Sequence, residues 1–514
     1  MLILISNILQ LKKNSYLHIL LYDDVITSVI YKVNLNHKHD VYSHTGNRQK
    51  IQMSNTTAIL KCKHTLTYHL IYLSLNRKSN NMNFIKNSVQ WGIDPVPRHN
   101  RLLRGREFFV LWSSLGVGLL VFSAGSFLSD ASFVDAFLAI LIGSVGGSIL
   151  LALAGKIGSD NAIPSLVSMR PSFGIRGSYL PAALNVVQLL GWTIFEITIM
   201  STAAHILVGK IIPFYVWTII FGSIVTLLGL IGPLAVVRQW LEKFAIWAVY
   251  ASSIIIIITL LLSDKLSILL STHGNGMSFF TALDIVIAMP VSWMPLAADY
   301  NRFAKNSNSA FKATMIGFAM TNVLFYLGGV LLGTSDIIII IGAIQSMLFG
   351  FLMLVLIVDE TDNTFADVYS AAVSSQNIFP KLDQRVLIIG FTAFGVIMAN
   401  IIPIAEYQTF LLLIGAVFVP LFGVVLSDYY ILKRFHYSHD ALFDKNTNKI
   451  GYPAFVAWSL GVLVYYLLSS LSPIYMPDLP QIGATIPSLI VSSAVYMAMM
   501  YSISRFRIKR VASQ

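Results

Sequence analysis

The chain has 514 residues, of which 56% are hydrophobic and only 11% charged, and its mean hydropathy is +0.71. A soluble globular domain is not built this way; these numbers describe a polytopic helical membrane protein. A formal charge of +11 would suggest nucleic acid for a soluble chain, but here it first asks which side of the bilayer holds the Lys and Arg, and the lone cysteine, Cys62, excludes an intrachain disulfide or thiolate metal cluster.

Residues 1–81 differ from everything after them. They hold six of the eleven histidines and Cys62, and their apolar runs, such as LHILLY, are too short to span. Lys12 and Lys13 follow the first apolar stretch instead of preceding it, which is not a secretory layout. The segment is expected to be a non-native extension read from a start placed too early, with Met82 the true start; a disordered tail or a small extra domain are the alternatives. Without it, 25 basic and 21 acidic residues remain, a formal +4. Residues 82–106 read as a cytoplasmic leader.

From Phe108 onward, apolar segments of membrane-crossing length recur. About twelve are expected, near 107–128, 132–154, 179–207, 211–231, 243–263, 277–298, 311–332, 344–375, 385–402, 407–427, 452–470 and 484–503. Basic residues collect in every second loop: Arg98, Arg101, Arg104 and Arg106 before the first span, Lys156, Arg170 and Arg176 after the second, Arg238 and Lys243 after the fourth. The series continues with Arg302, Lys305 and Lys312 after the sixth, Lys381 and Arg385 after the eighth, Lys433, Arg434, Lys445 and Lys449 after the tenth, and Arg505, Arg507, Lys509 and Arg510 in the tail, 505–514. Lys210 and Lys265 fall on the other side. This asymmetry predicts that both termini are cytoplasmic.

Two spans five apart are interrupted. The first carries Gly116 and Gly118 at mid-depth, the sixth Pro290 and Pro295. Both can unwind locally, leaving backbone groups that must line a cavity or be buried in protein. Such a matched pair points to an inverted-repeat transporter with a midplane site; singly, the glycines could serve packing and the prolines kinking. Gly143 and Gly147 read as a packing pair, His205 as a packing or interfacial histidine, Trp112 as part of an interfacial belt, and Asp299 as a helix-end partner of Arg302 at i+3.

The third span carries Asn185, Gln188, Trp192 and Glu196 on one face. An aromatic plane one turn from a buried carboxylate suits a flat heteroaromatic ring, stacked on the indole while its N–H groups donate to the acid. The eighth span, IVDETDNTFADVYSAAV, is more acidic. At about 100° per residue, Glu360, Asn363, Asp367, Ser370 and Ser374 share a stripe roughly 80° wide, while Thr361 and Asp362 point away from it. A carboxylate at the bilayer centre costs about 2.5–3.5 kcal/mol, so neither face should meet lipid. One suits a substrate, the other a cation.

Several stretches resemble the nucleobase:cation symporter family, the purine-cytosine permeases: WGIDPVPRHNR, LWSSLGVGLLVF, RPSFGIRGSYLP, GWTIFE, MPVSWMPLAADYNRFAK, VDETDNTFADVYSAAVSSQNIFP and PLFGVVLSDYYILKR, spread from residue 91 to about 510. The resemblance implies the leucine-transporter fold, an all-α membrane protein with inverted repeats at 107–263 and 277–428 and added helices within 452–504. It implies a substrate site built on Trp192, Glu196 and Asp367, with Gln188 and Asn363 beside them. It also implies a cation site from the backbone carbonyls of Ser114, Val117 and Val358 and the side chains of Thr361 and Asp362. The family's second stacking tryptophan falls on Pro290, with Trp293 the nearest substitute. Acids at 196 and 367, where amides are the pattern, favour ligands with several N–H donors.

The expected function is import of a nucleobase or related heterocycle, cytosine or a purine, by symport with Na+ or H+. It needs no other cofactor, no nucleic acid and no partner beyond substrate and the lipid bilayer, and it is expected in a plasma-membrane monomer. A same-fold amino-acid or amine symporter is the nearer rival. A membrane prenyltransferase is the remote one, and it lacks a second aspartate motif.

Overall fold

A backbone among acyl chains must satisfy its N–H and C=O groups within its own segment, and for apolar runs of this length the local solution is the helix. The computed structural model describes residues 91–233, 246–263, 267, 270, 276–334, 336–403, 407–444, 449–469, 471 and 482–512. The expectations for residues 1–81 and for residues 82–90 of the leader, for Arg238, Lys243, Lys265 and Lys445, and for the side chains of Arg507, Lys509 and Arg510 lie outside the described residues. Among the described residues there are helices and no strand; β-type pairing is limited to an isolated parallel bridge between Leu103 and Ala304.

In chain order the longer helices are α1 (Gly105–Ser114), α2 (Leu119–Phe127), α3 (Phe133–Asn161), α4 (Tyr179–Leu207), α5 (Phe214–Ile231), α6 (Ile246–Leu261), α7 (Phe279–Ser292) and α8 (Met294–Asn301). They continue as α9 (Ser307–Leu332), α10 (Ile337–Ser346), α11 (Phe351–Ile378), α12 (Gln384–Met398), α13 (Tyr407–Leu426), α14 (Tyr452–Leu468) and α15 (Thr485–Ala512). Each predicted stretch thus contains helix. Among the described residues eight helical stretches are long and apolar enough to cross a membrane, or nine if the bent pair α1–α2 is one span, while α6, α12 and α14 are apolar but shorter. Starts are marked by capping side chains: Ser132, Ser278, Asn306 and Asp383 accept the N–H of Asp135, Thr281, Ser309 and Arg385.

One boundary departs from expectation. The eighth span does not begin at 344: α10 ends at Ser346, and Leu348, Phe349 and Gly350 take left-handed torsions (φ 46°, 55° and 80°) before α11 starts at Phe351. Hydropathy is unchanged across this turn, so only Gly350 marks it in the sequence.

Close packing follows the small residues. A Cβ on Gly143 would stand 2.8 Å from Val286, and one on Gly147 2.3 Å from Pro290 Cγ, so the predicted packing pair seats α3 against α7. A Cβ on Gly329 would stand 2.2 Å from the Phe122 carbonyl oxygen, a backbone atom that cannot swing aside. Gly329→Ala is therefore expected to destabilise the α2–α9 contact by about 1–3 kcal/mol. A thermal-unfolding midpoint equal to wild type would refute that packing.

Two other expectations change. Trp112 is fully buried, not interfacial; its indole N–H donates to Asn301 Oδ1 at 2.9 Å and its ring packs edge-on to Trp293 and Tyr300. The Asp299 carboxylate does not pair with Arg302, whose Nε donates to the Asp299 backbone carbonyl at 3.1 Å. Asp299 Oδ1 accepts the Ser165 N–H at 2.9 Å while Ser165 Oγ accepts the Ala298 N–H, and Arg302 also donates to the Gly92 carbonyl (2.6 Å) and Tyr369 hydroxyl (2.9 Å). Buried at 0% exposure, each group answers the nearest free backbone donor or acceptor. His205 takes the packing role, its Nδ1 donating to the Ile212 carbonyl at 2.8 Å.

Candidate functional site

The first span breaks at Leu115–Gly118, and α1 and α2 are bent by 64°. The break frees an acceptor and a donor, and α11 supplies the matching group to each. Asn363 Nδ2 donates to the Val117 carbonyl at 2.6 Å, and Glu360 Oε2 accepts the Leu119 N–H at 3.1 Å. A carboxylate at the start of α2 also complements the helix dipole. The approach is close at Gly118, where a Cβ would lie 3.2 Å from Glu360 Oε2.

The sixth span is interrupted less. Only Trp293 separates α7 from α8, with φ −87° and ψ −13°, and the junction keeps the tight bonds Trp293 N–H to Pro290 O (3.3 Å) and Leu296 N–H to Trp293 O (3.2 Å). Pro290 stays inside α7, and Pro295 lies in the first turn of α8, where a missing N–H leaves nothing unpaired. The two breaks are therefore unequal. Carbonyls at the sixth are met from α4: Gln188 Nε2 donates to Ser292 O at 3.2 Å and to Asn185 Oδ1 at 2.8 Å, and Asn185 Nδ2 donates to Ser374 Oγ at 2.8 Å.

Above these clamps α4, α11 and α13 bring one aromatic group and several acids together. Trp192 is 5% exposed, with Tyr407 and Phe410 edge-on at 5.9 and 5.4 Å. One turn on, the Glu196 carboxyl faces that of Asp367, with Thr364 beside it and Glu360 and Tyr407 near. Tyr407 donates to the Leu120 carbonyl at 3.3 Å, tying α13 to α2. Glu196, Glu360 and Asp367 are each at most 2% exposed. Two carboxylates cannot bond each other without a shared proton. Glu196 Oε2 and both Asp367 oxygens accept no hydrogen bond from a protein donor, and the same holds for Gln188 Oε1 and Asn363 Oδ1. A buried surface made of acceptors calls for a ligand that brings donors.

The opposite side of α11 faces α1. Ser114 Oγ donates to Asp359 Oδ1 at 2.9 Å and lies beside Asp362, whose two oxygens, like Asp359 Oδ2, meet no donor. The carbonyls expected to hold a cation each already accept a bond: Val117 O from Asn363, Val358 O from Thr361 Oγ1 at 2.7 Å, and Ser114 O from the Val117 N–H at 3.0 Å. The unspent oxygens belong to the two aspartates, the donor set a hard cation prefers. Among the described residues no trio of His, Cys, Asp or Glu converges as for a transition metal.

The structure thus groups Trp192, Glu196, Gln188, Asn363 and Asp367 along the facing sides of α4 and α11, and Ser114, Thr361, Val358 and Asp362 at α1 and α11. Trp293, at the junction of α7 and α8, packs edge-on to Trp112 at 6.4 Å and against Phe318 at 6.5 Å. Sequence reading gave no role at either site to Asp359, to Glu360, which it placed on the polar stripe, or to Tyr407. The first two stood in the acidic stretch, one turn from residues already chosen; Tyr407 looked like any span-end aromatic.

The chain matches the family model described as permease for cytosine/purines, uracil, thiamine, allantoin over residues 95–484. It is 26% identical over 405 residues to the cytosine permease of Escherichia coli (strain K12), covering 74% of this chain and 90% of that one. It is 24% identical over 453 residues to the putative purine-cytosine permease YxlA of Bacillus subtilis (strain 168), covering 82% and 96%. Among solved structures it resembles Mhp1, a nucleobase-cation-symport-1 family transporter, in a closed conformation with bromovinylhydantoin bound, with a TM-score of 0.68 at 21% identity over 81% of this chain and 96% of Mhp1. A Na+-coupled sialic acid symporter follows with a TM-score of 0.53 at 12% identity, over 81% and 94%. These likenesses give the fold as that of the leucine-transporter type, and a permease reading displaces the prenyltransferase. The chain is a multi-pass membrane transporter of the cytosine/purine, uracil, thiamine and allantoin permease family.

Proposed function

We propose that the protein imports an amino-bearing nucleobase or related heterocycle, cytosine or an aminopurine, by symport with Na+ or H+. The observation that carries this reading is the juxtaposition of the Trp192 indole with the facing Glu196 and Asp367 carboxyls, in which Glu196 Oε2 and both Asp367 oxygens lack protein donors. A flat ring stacked on the indole would offer its ring N–H and exocyclic amine to those oxygens, satisfying acceptors that burial otherwise leaves unpaired. Gln188 Oε1 and Asn363 Oδ1 are further acceptors. The names of the bacterial cytosine and purine-cytosine permeases support the substrate class. Trp293, at the junction of the sixth span, is the nearest substitute for a second stacking plane.

The cation is assigned to Asp362 and Asp359 with Ser114, supplemented by carbonyl lone pairs of Val117 and Val358 and the Thr361 hydroxyl. Bound there, positive charge would draw α1 onto α11, the helix that also carries Asp367. Substrate and cation would then favour the same arrangement of the first and eighth spans, which is the coupling that symport requires. The accompanying topology is twelve spans with repeats at 107–263 and 277–428 and two added helices, both termini in the cytoplasm, in a plasma-membrane monomer.

Purified protein in liposomes should exchange labelled cytosine or adenine in counterflow, and should accumulate it when a sodium or a proton gradient is imposed separately. Exchange of uracil but of no amino-bearing base would overturn the substrate assignment. Accumulation under neither gradient would overturn symport.

A further inference from the structure

A second charged feature lies away from the acids. A cleft of about 820 Å³ opens between the leader and the segment that follows α8, lined by Arg98, His99, Arg101, Arg104, Glu107 and Lys305. Its walls are fixed by backbone. The Leu103 N–H donates to Phe303 O at 3.1 Å and the Lys305 N–H to Leu103 O at 2.8 Å, which sets Arg104 and Lys305 side by side across the bridge. Arg101 Nε donates to Val96 O at 3.0 Å, and the Val96 N–H to Ala162 O at 2.9 Å. Among the described lining residues four full positive charges thus accompany the carboxylate of Glu107, one oxygen of which accepts the Arg104 N–H at 3.0 Å.

A run of surface basic residues ordinarily means only a solvated face. Here the cations come from two chain segments and converge on one concavity at the start of the first span, beside the end of the sixth. The Arg101 guanidinium is pushed below its usual value by burial and then by the Arg98 charge.

We propose that this cleft binds the phosphate of an anionic phospholipid headgroup. The inference rests on the reading that puts the leader in the cytoplasm, where the acidic leaflet faces the ends of the spans. A phosphodiester offers the two anionic oxygens that guanidinium groups grip in pairs. Because the cleft exists only while the Leu103 segment is paired to Phe303 and Lys305, a lipid that fills it favours the state in which the first and sixth spans are held together at this end. Opening of that end breaks the bridge and releases the lipid.

The test uses the full chain in detergent, titrated with phosphatidylglycerol, phosphatidylcholine or inorganic phosphate and followed by native mass spectrometry. Wild type should retain phosphatidylglycerol over phosphatidylcholine. Arg98→Gln and Lys305→Gln alter exposed side chains, and each should weaken retention about fivefold, near 1 kcal/mol per charge, while labelled cytosine binding is unchanged. Equal retention by wild type and both variants would overturn the site. Retention of inorganic phosphate with no lipid preference would overturn the lipid assignment in favour of a soluble phosphorylated ligand. Because the readout needs no substrate, failure of the nucleobase reading leaves it intact and is seen separately in the counterflow assay.

Discussion

Glu196→Gln is expected to lower the apparent affinity for cytosine by about 10- to 150-fold, the range that corresponds to losing one charge-assisted hydrogen bond worth about 1.5–3 kcal/mol. The substitution keeps side-chain length and shape within the bundle, so the packing of Trp192 against Tyr407 and Phe410 has no reason to change. What changes is hydrogen-bond polarity. The amide presents an NH2 group that either meets another donor, the exocyclic amine of cytosine, or turns its oxygen inward and leaves its own donors to be satisfied beside Asp367. The same NH2 would complement a ring carbonyl, so uracil and other diones should compete better against the variant than against wild type. Competition of unlabelled bases against labelled cytosine in counterflow reads both effects in one experiment. Undiminished cytosine affinity in Glu196→Gln would remove this carboxyl from the ligand site; a loss with no gain for diones would leave it a structural role only.

The acidic pair was legible because polarity inside an apolar helix is conspicuous, and helical periodicity assigned its members to faces. Asn185, Gln188 and Glu196 on one side, and Glu360, Asn363, Asp367 and Ser374 on the other, do confront each other across α4 and α11. Periodicity could not tell which polar groups are consumed by the scaffold. Gln188 spends an N–H on the broken sixth span, Asn185 its own on Ser374 of the eighth and Asn363 its own on the first, and such obligations appear only when two segments meet. Nor could residue type alone grade the two breaks. Gly116 and Gly118 permit a four-residue opening because nothing obliges them to stay helical. Pro295, by contrast, falls where a helix begins and tolerates it, so Trp293 alone carries the junction. The turn at Leu348–Gly350 was invisible for a different reason: left-handed torsions at Leu348 and Phe349 are imposed by context, since neither side chain favours them.

Asp362→Asn is expected to abolish cation-driven accumulation while leaving substrate exchange measurable. Both oxygens of Asp362 are without a protein donor, whereas Asp359 already holds the Ser114 hydroxyl through Oδ1. Removing the Asp362 charge therefore takes the larger share of what a cation would find, and Asp359→Asn should have the smaller effect. For sodium, loss of one charged oxygen ligand should raise the concentration needed for half-maximal uptake by about 10- to 150-fold, the same free-energy range as above. For a proton, an amide at 362 has no proton to give or take, and the dependence of uptake on an imposed pH gradient should vanish. Exchange survives because Trp192, Glu196 and Asp367 lie on the other side of α11. The clamp that joins α11 to the broken first span, Glu360 to the Leu119 N–H and Asn363 to Val117 O, is also untouched. Uptake by Asp362→Asn with wild-type dependence on both gradients would mean that the aspartates brace α1 without carrying the coupling ion, and the driving cation would have to be sought elsewhere in the bundle.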